Sequence, residues 1–217
     1  MIRADGMALL TGLVLLAAVS VLALAAANGS LLQRRQAANF AEERLAAENA
    51  AIAEAQARAW LVSRADVERQ AGCVSDCLLP PAIHGTGTLP AEPEFESAAW
   101  WRDHGIRAGA HPESGAPIGE TGTGGEPARW LIEEIHFEAV EPAAEPPAFA
   151  GLGWYRILSR GSGRHPARIA VSEAIVARPW EGDYTPADYP PPAGAADFCA
   201  QFAPAVTCGT QAWRRRR

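Results

Sequence analysis

An uncharged apolar run near the N-terminus constrains this chain more than any other feature of its sequence. The run, Met7–Ala27, has 21 residues and reads MALLTGLVLLAAVSVLALAAA, with Thr11 and Ser20 as its polar members. A helix rises about 1.5 Å per residue, so such a run spans ~30 Å, the thickness of a bilayer's hydrocarbon core. Because a backbone in lipid must satisfy its own hydrogen bonds, the run predicts a transmembrane helix.

Two ordinary explanations compete for this run. A cleaved secretory signal peptide would place an Ala-rich cleavage site near Ala25–Ala27, but the run is longer than an apolar signal region of about 7–15 residues. An uncleaved signal anchor needs no further motif. The flanking charges do not decide the orientation, because Arg3 precedes the run while Arg34 and Arg35 follow it.

Helix-forming residues continue well beyond the apolar run. Ala, Glu, Gln and Arg dominate from Leu31 onward, and no proline occurs before Pro80, which predicts an amphipathic helix over 28–69. Asn28–Ser30 predicts a kink or melted turn at the membrane exit, because Gly29 costs about 1 kcal/mol of helix stability relative to Ala.

Small and apolar residues form a narrow stripe on one side of this helix. They recur at Leu31, Ala38, Leu45, Ile52 and Ala59, with Ala41, Ala55 and Val62 on the same side. For the second half of the helix, the stripe predicts packing on the chain's own globular domain. For the first half, it predicts packing against other copies or partner subunits.

Glycine and proline accumulate after residue 72, where they predict loops and short strands rather than helices. Aromatic and β-branched residues in partial alternation predict strands near 129–140, 154–160 and 167–178, with a hairpin turn at Arg160–Gly163. An antiparallel sheet of this kind can bury one face against a helix. We therefore expect an α+β fold, in which a long N-terminal transmembrane and amphipathic helix packs on a small antiparallel β-sheet domain within 70–217.

A short polar leader ends in Gly6, and GMALLTGLVLLAAVSVLALAAA is followed by LLQRRQAANFAEERLAAENAAIAEAQA. These N-terminal motifs resemble those of type IV prepilins, and of PilX-type minor pilins in particular. The resemblance implies a leader over 1–6, cleavage by prepilin peptidase between Gly6 and Met7, and methylation of the new N-terminus. It also implies a single pass through the bacterial inner membrane, with 7–27 as the span and 70–217 in the periplasm.

One residue departs from the pattern of major pilins. Those proteins carry a glutamate fifth in the mature chain, which pairs with the N-terminus of a neighbouring subunit, whereas this chain has Thr11 there. An unpaired charge in lipid is costly, and tip-associated minor pilins often lack it. The resemblance therefore implies a minor pilin in a tip or priming complex that assembles the type IV pilus and is incorporated into it. Its implied partners are other minor pilins, the major pilin and a tip adhesin.

Two alternatives remain open at this point. A tip pseudopilin of type II secretion would share the leader and the apolar helix. A periplasmic domain on an ordinary signal anchor would bind a ligand or an envelope partner and keep its N-terminus uncut. The resemblance extends less specifically to residues 128–180, where ARWLIEEIHFEAV, GWYRILSRGSG and PARIAVSEAIVARPW are similar to the closing strands of PilX proteins.

Four cysteines, Cys73, Cys77, Cys199 and Cys208, all lie beyond the apolar run. An even number of cysteines in an exported chain predicts disulfides, and four cysteines allow three connectivities. We favour the local pairs Cys73–Cys77 and Cys199–Cys208, because each closes a short loop. The spacing is poor for a zinc site, which the oxidising periplasm also disfavours.

No catalytic or cofactor-binding pattern is evident, and we expect neither an enzyme nor a cofactor. The histidines are scattered at His84, His104, His111, His136 and His165. The segment GETGTGGEPAR lacks the Gly-Lys-Ser/Thr end of a phosphate loop and predicts a flexible loop instead. A net charge of −6 argues against a nucleic-acid partner.

Two aromatic segments and the basic C-terminal tail are the remaining features of the sequence. Trp100–Trp101 and the Tyr- and Pro-rich run Asp183–Pro192 are candidate contact surfaces, since exposed aromatic residues favour interfaces. Burial of the two tryptophans in the core is the alternative. The basic tail Arg214–Arg217 predicts a disordered, solvated end of the chain.

Overall fold

A computed structural model describes residues 5–64, 79–119, 121–139, 151–180, 189, 198–201 and 207–216 of this chain. In chain order the elements are α1 (Asp5–Ser63), β1 (Ile83–His84), α2 (Ala98–His104), β2 (Ile106–Arg107), β3 (Arg129–Ala139), β4 (Gly151–Ser162), β5 (Ile169–Trp180) and β6 (Gly209–Arg216). Short 3-10 helices lie at Pro93–Phe95 and Phe198–Gln201. The chain divides into two compact units, Met1–Ala41 and Glu42–Arg217.

Helix α1 runs without interruption through Asn28–Ser30, so the predicted kink or melted turn is wrong. Ala and Leu flank this tripeptide, and their helix propensity outweighs the cost of about 1 kcal/mol for one glycine. The helix ends at Ser63, whose hydroxyl donates to the carbonyl of Trp60 at 2.8 Å and satisfies one of the last helical acceptors. The helix predicted over 28–69 therefore stops earlier than expected, and 65–69 lie outside the described residues.

The strands of the globular unit form one sheet in the order β1-β3-β4-β5-β6, and β2 joins it beside β3. β1 pairs with β3 in parallel, whereas the other pairs are antiparallel. The sheet is therefore mixed, although its centre is the antiparallel meander of β3, β4 and β5. The strands predicted near 129–140, 154–160 and 167–178 correspond to these three, whose bounds differ from the predicted ones by up to three residues.

One face of the sheet packs against the second half of α1. Buried residues from the helix and the three central strands form one apolar cluster, which includes Ala53, Ala57, Trp60, Leu61, Trp130, Ile132, Tyr155, Ile157, Ala174, Val176 and Trp180. The ring centroids of Trp60 and Trp130 lie 5.9 Å apart. Burial of such large side chains is the main source of apolar stabilisation. The predicted α+β fold, with the long helix packed on the sheet, is confirmed.

The buried face of α1 is not the predicted stripe. Its members follow the three- and four-residue spacing of one helical face: Ala46, Ala50, Ala53, Ala57 and Trp60. The stripe residues Leu45, Ile52 and Val62 are only half-buried, and Ala55 is exposed. Alanine occurs on every side of this helix, so hydrophobicity alone does not distinguish its faces. Alanine at four of these five buried positions lets the helix and the sheet approach closely.

The opposite face of the sheet is covered as well, which the sequence did not predict. Trp101 of α2 is buried against Leu131, Leu158 and Val171, and its indole nitrogen donates to the carbonyl of Pro93 at 2.9 Å. Because both faces are covered, β4 and β5 are buried over most of their length and show little alternation.

The basic end of the chain forms strand β6, so the disorder predicted for Arg214–Arg217 is wrong for all but Arg217, which lies outside the described residues. Arg216 forms an ion pair with Glu94 at 2.7 Å, and Arg214 forms one with Glu173 at 3.1 Å. Both carboxylates are buried. Charge-assisted hydrogen bonds to buried acceptors fix this segment against β5.

A disulfide joins Cys199 to Cys208, as the sequence predicted, with Cα atoms 5.4 Å apart. Both thiols are therefore used in the bond rather than in a zinc site. Gly209 follows with φ of +86°, a conformation that glycine adopts readily, and begins β6. The other predicted pair, Cys73–Cys77, lies outside the described residues.

Candidate functional site

The candidate functional surface is the N-terminal half of α1, which belongs to the unit Met1–Ala41. Large apolar side chains are exposed along the whole run: Met7, Leu9, Leu10, Leu13, Val14, Leu15, Leu16, Val19, Val21, Leu22 and Leu24. Leu9 is 74% exposed and Leu22 is 70% exposed. Soluble proteins rarely leave a contiguous apolar patch larger than a few hundred Å² in water. Lipid or other apolar helices must therefore cover this surface.

This helix is long and apolar enough to cross a membrane. Within Leu9–Ser63, one 18-residue window has a mean hydropathy of 2.6, and none of it is buried within the chain. Thr11 donates its hydroxyl to the carbonyl of Met7 at 2.9 Å, and Ser20 donates to that of Leu16 at 2.7 Å. The polar side chains of the run are thus satisfied within the helix, which lowers the cost of placing them in lipid.

The predicted processing site lies in the first turn of this helix, since α1 begins at Asp5 and includes Gly6 and Met7. Thr11 follows one turn later on the same helix. The structure thus places the predicted cleavage residues and the position without the usual glutamate within two turns of each other.

At the start of the globular unit, Asn49 of α1 bonds to β4 and to the glycine-rich loop, which is formed by residues 121–125. Its side-chain amide donates to the carbonyl of Ser162 at 2.7 Å, and its Oδ1 accepts from the amide of Thr123 at 3.2 Å. A Cβ on Gly122 or Gly124 would lie closer than 3.0 Å to the Asn49 side chain. The absence of a Cβ at Gly122 and Gly124 therefore permits the loop to pack on the helix.

A shallow cleft of about 430 Å³ lies beside this contact. It is lined by Leu45, Glu48, Asn49, Ile52, Gly119, Thr121, Gly122 and Thr123. Glu48 at its rim is already paired with Arg44 at 2.8 Å. Among the described residues, no group of His, Cys, Asp and Glu is arranged to hold a metal ion.

The aromatic candidates serve mainly in packing. Trp101 is fully buried, whereas Trp100 is half-buried and stacks on His104 with ring centroids 4.5 Å apart. Tyr189 is the described residue of the run Asp183–Pro192, and it packs against the cluster beneath α1. Burial raises the pKa of Tyr189 to about 12.

Two of the scattered histidines meet beside the sheet. His84 of β1 is half-buried, lies opposite Glu133 of β3 and is close to His104 of α2. Burial, and then the charge of His104, lower the pKa of His84 below its ordinary value of 6.5. A hydrogen bond to the His104 backbone and the charge of Glu133 oppose this shift.

Acidification is expected to destabilise the globular unit through His84. The unfolded chain takes up a proton at His84 near pH 6.5, whereas the folded chain does so only at lower pH. The unfolded state therefore binds more protons in this window, and the free energy of unfolding falls as the pH drops below 6.5. We expect a lower melting temperature at pH 5.5 than at pH 7.5, and a smaller difference in His84→Gln. The exposed His136→Gln serves as the control, and an equal effect of both variants would contradict the assignment.

A helix that is apolar and exposed at its start, with its second half packed on a sheet, defines a membrane-anchored, pilin-like α+β protein. Residues 5–58, about a quarter of the chain, match the family described as PilX N-terminal. The resemblance predicted from the N-terminal motifs is thereby confirmed. Searches of curated proteins and of solved structures gave no match to the chain.

Proposed function

We propose that this chain is a minor pilin that acts in type IV pilus assembly, within a tip or priming complex. The observation that carries the proposal is the exposed apolar helix in a segment that matches the PilX N-terminal family. PilX-type pilins are structural proteins, and this helix offers a packing surface without catalytic groups. Its partners are then other minor pilins, the major pilin and a tip adhesin.

Thr11 supports a position at the tip. Its hydroxyl donates to the carbonyl of Met7 within the same helix. Threonine has no carboxylate that could pair with the N-terminus of a neighbouring subunit. A subunit with no neighbour above it does not need that ion pair, and it avoids the cost of an unpaired charge in lipid.

The proposal includes the processing and location of the chain. Residues 1–6 form a cytoplasmic leader, prepilin peptidase cuts between Gly6 and Met7, and the new N-terminus is methylated. The helix then holds the protein in the inner membrane, with its globular unit in the periplasm, until the subunit enters the pilus.

Replacement of Gly6 by valine is expected to abolish processing, because a branched side chain occupies the residue at the proposed cut. Intact mass spectrometry of the membrane-extracted chain should show the wild type without residues 1–6 and carrying one methyl group, and the variant at full length. Gly12→Ala is the matched control, since a Cβ at Gly12 would meet nothing within 4 Å. The proposal fails if the wild type keeps residues 1–6 or if Gly6→Val is still shortened.

A second measurement separates the pilus from type II secretion. Deletion of this chain is expected to reduce the number of surface pili without changing the amount of secreted protein. The opposite result would assign the chain to a secretion pseudopilus, and an uncut N-terminus with both systems intact would favour a signal-anchored periplasmic domain.

A further inference from the structure

Three arginines stand directly opposite one another on adjacent strands of the sheet. Arg107 of β2 pairs with Arg129 of β3, and Arg129 pairs with Arg160 of β4. Directly opposite residues of antiparallel strands share a face, with Cβ atoms about 4.5–5.5 Å apart. Like charges in this arrangement are destabilising. The row therefore opposes folding unless another charge compensates it.

One carboxylate stands against this positive charge in the described part of the chain. Glu126 approaches Arg160 at 3.2 Å and Arg102 of α2 at 3.7 Å. Arg129 donates from one guanidinium nitrogen to the carbonyls of Arg102 and Gly105, at 3.3 and 2.9 Å, which brings α2 to the row. We call Arg102, Arg107, Arg129 and Arg160 the arginine patch. Among the described residues, Glu126 is the one carboxylate that pairs with this patch.

Other arginines of the same sheet face are each matched with a carboxylate. Arg156 is paired with Glu133 across β3 and β4, while Arg214 and Arg216 of β6 pair with Glu173 and Glu94. The arginine patch departs from this rule, because neither Arg107 nor Arg129 forms an ion pair with any described residue.

The patch combines accessible groups with a buried donor that lacks an acceptor. Arg102 and Arg107 are exposed, whereas Arg160 is only 8% exposed. The Nε of Arg160 is buried and makes no hydrogen bond to the residues the structure describes. Burial first, and then the charges of Arg102 and Arg107, lower the pKa of Arg129. The charges of Arg107 and Arg129, which no described carboxylate balances, point to an anion from outside.

We propose that the arginine patch binds the carboxylates of an acidic segment on a partner protein. A guanidinium group can bind a carboxylate in a bidentate geometry. Arg102 and Arg160 of the patch already bind the carboxylate oxygens of Glu126. A nucleic acid is the competing partner, and the test below includes it as an outcome. The inference uses residues of the globular unit alone and does not depend on the proposed role in pilus assembly.

The test is binding of a fluorescent 12-residue polyglutamate peptide to the full chain in neutral detergent at low salt, followed by anisotropy. We expect Arg107→Gln to weaken binding about 3- to 5-fold, the range of one exposed ion pair, and Arg102→Gln/Arg107→Gln to weaken it about 10-fold or more. Arg107→Gln should also melt at the same temperature as the wild type or higher, because it relieves repulsion within the row. Arg215→Gln is the matched control, since its exposed arginine lies in β6 on the opposite face of the sheet.

Several results would overturn the proposal. The wild type fails to bind polyglutamate, or both patch variants bind it as well as the wild type does. Equal weakening by Arg215→Gln would show that net charge, rather than this patch, drives the binding. Tighter binding of a 12-nucleotide DNA, lost in the same patch variants, would assign the patch to phosphates instead of carboxylates.

Discussion

Replacement of Gly161 by alanine is expected to lower the free energy of unfolding of the globular unit by about 3 kcal/mol or more, in the upper range for overpacked sites. Gly161 lies in β4 where α1 crosses the sheet. A Cβ at this position would lie closer than 3.0 Å to the carbonyl oxygen of Ala46, the amide nitrogen of Ala50 and the carbonyl carbon of Asn49. All three are backbone atoms of the helix and cannot rotate away as a side chain would. The added methyl group must therefore move the helix from the sheet.

The control for this prediction is Gly119→Ala, because a Cβ at Gly119 would meet nothing within 4 Å. We expect that variant to stay within about 0.5 kcal/mol of the wild type, as most surface substitutions do. Chemical denaturation of both variants in the same detergent, followed by tryptophan fluorescence, compares them directly. A wild-type midpoint for Gly161→Ala would contradict the close contact of helix and strand described here.

Local patterns in the sequence predict the main elements because they depend on local chemistry. An uncharged run long enough to span a bilayer identifies the start of α1, and alternating aromatic and β-branched residues identify β3, β4 and β5. The two short strands β1 and β2, each of which pairs with β3, could not be predicted in the same way. Ile83–His84 and Ile106–Arg107 are two residues long, and their pairing with β3 depends on contacts distant in sequence.

The packing face of the helix could not be predicted for a different reason. Alanine surrounds the helix, so the buried face is selected by the shape of its neighbour, and Gly161 forms that neighbour. One signal was available in the sequence. Asn49 is an unfavourable residue in the middle of an Ala-rich helix, and it marks the position where the helix bonds to β4 and to the glycine-rich loop.

The basic tail shows how tertiary charge pairing overrides a local pattern. Consecutive arginines at a chain end predict a solvated segment, yet alternate arginines of β6 reach buried carboxylates on one face of the sheet. The partners, Glu94 and Glu173, are distant in sequence and lie in different elements. The candidate assembly surface was predictable because it is a continuous run, whereas the arginine patch was not, since its members come from four elements.

Loss of the Cys199–Cys208 disulfide is expected to lower the free energy of unfolding by about 2–3 kcal/mol, the entropic effect of a crosslink that closes a short loop. The two cysteines are nine residues apart, and the second directly precedes β6. We expect hydrogen exchange in Cys199→Ser/Cys208→Ser to accelerate most at the amides of β6, while β3 and β4 stay protected. Reductant should give the wild type the same exchange pattern in β6, and it should leave β6 of the variant unchanged.

Side-chain contacts between α1 and β6 limit how much β6 opens when the disulfide is lost. Trp213 donates to the buried carboxylate of Glu54 at 2.8 Å, and Arg58 donates to Thr210 at 3.2 Å, so α1 holds β6 independently of the disulfide. Edge strands open locally at lower free energy than central strands. Removal of the crosslink should therefore increase opening of β6 without detaching it, and Glu54→Ala in the disulfide-free background should increase that opening further. If β6 amides keep wild-type protection in the double cysteine variant, the contacts to α1 and Glu94 alone fix the strand, and the disulfide has another role.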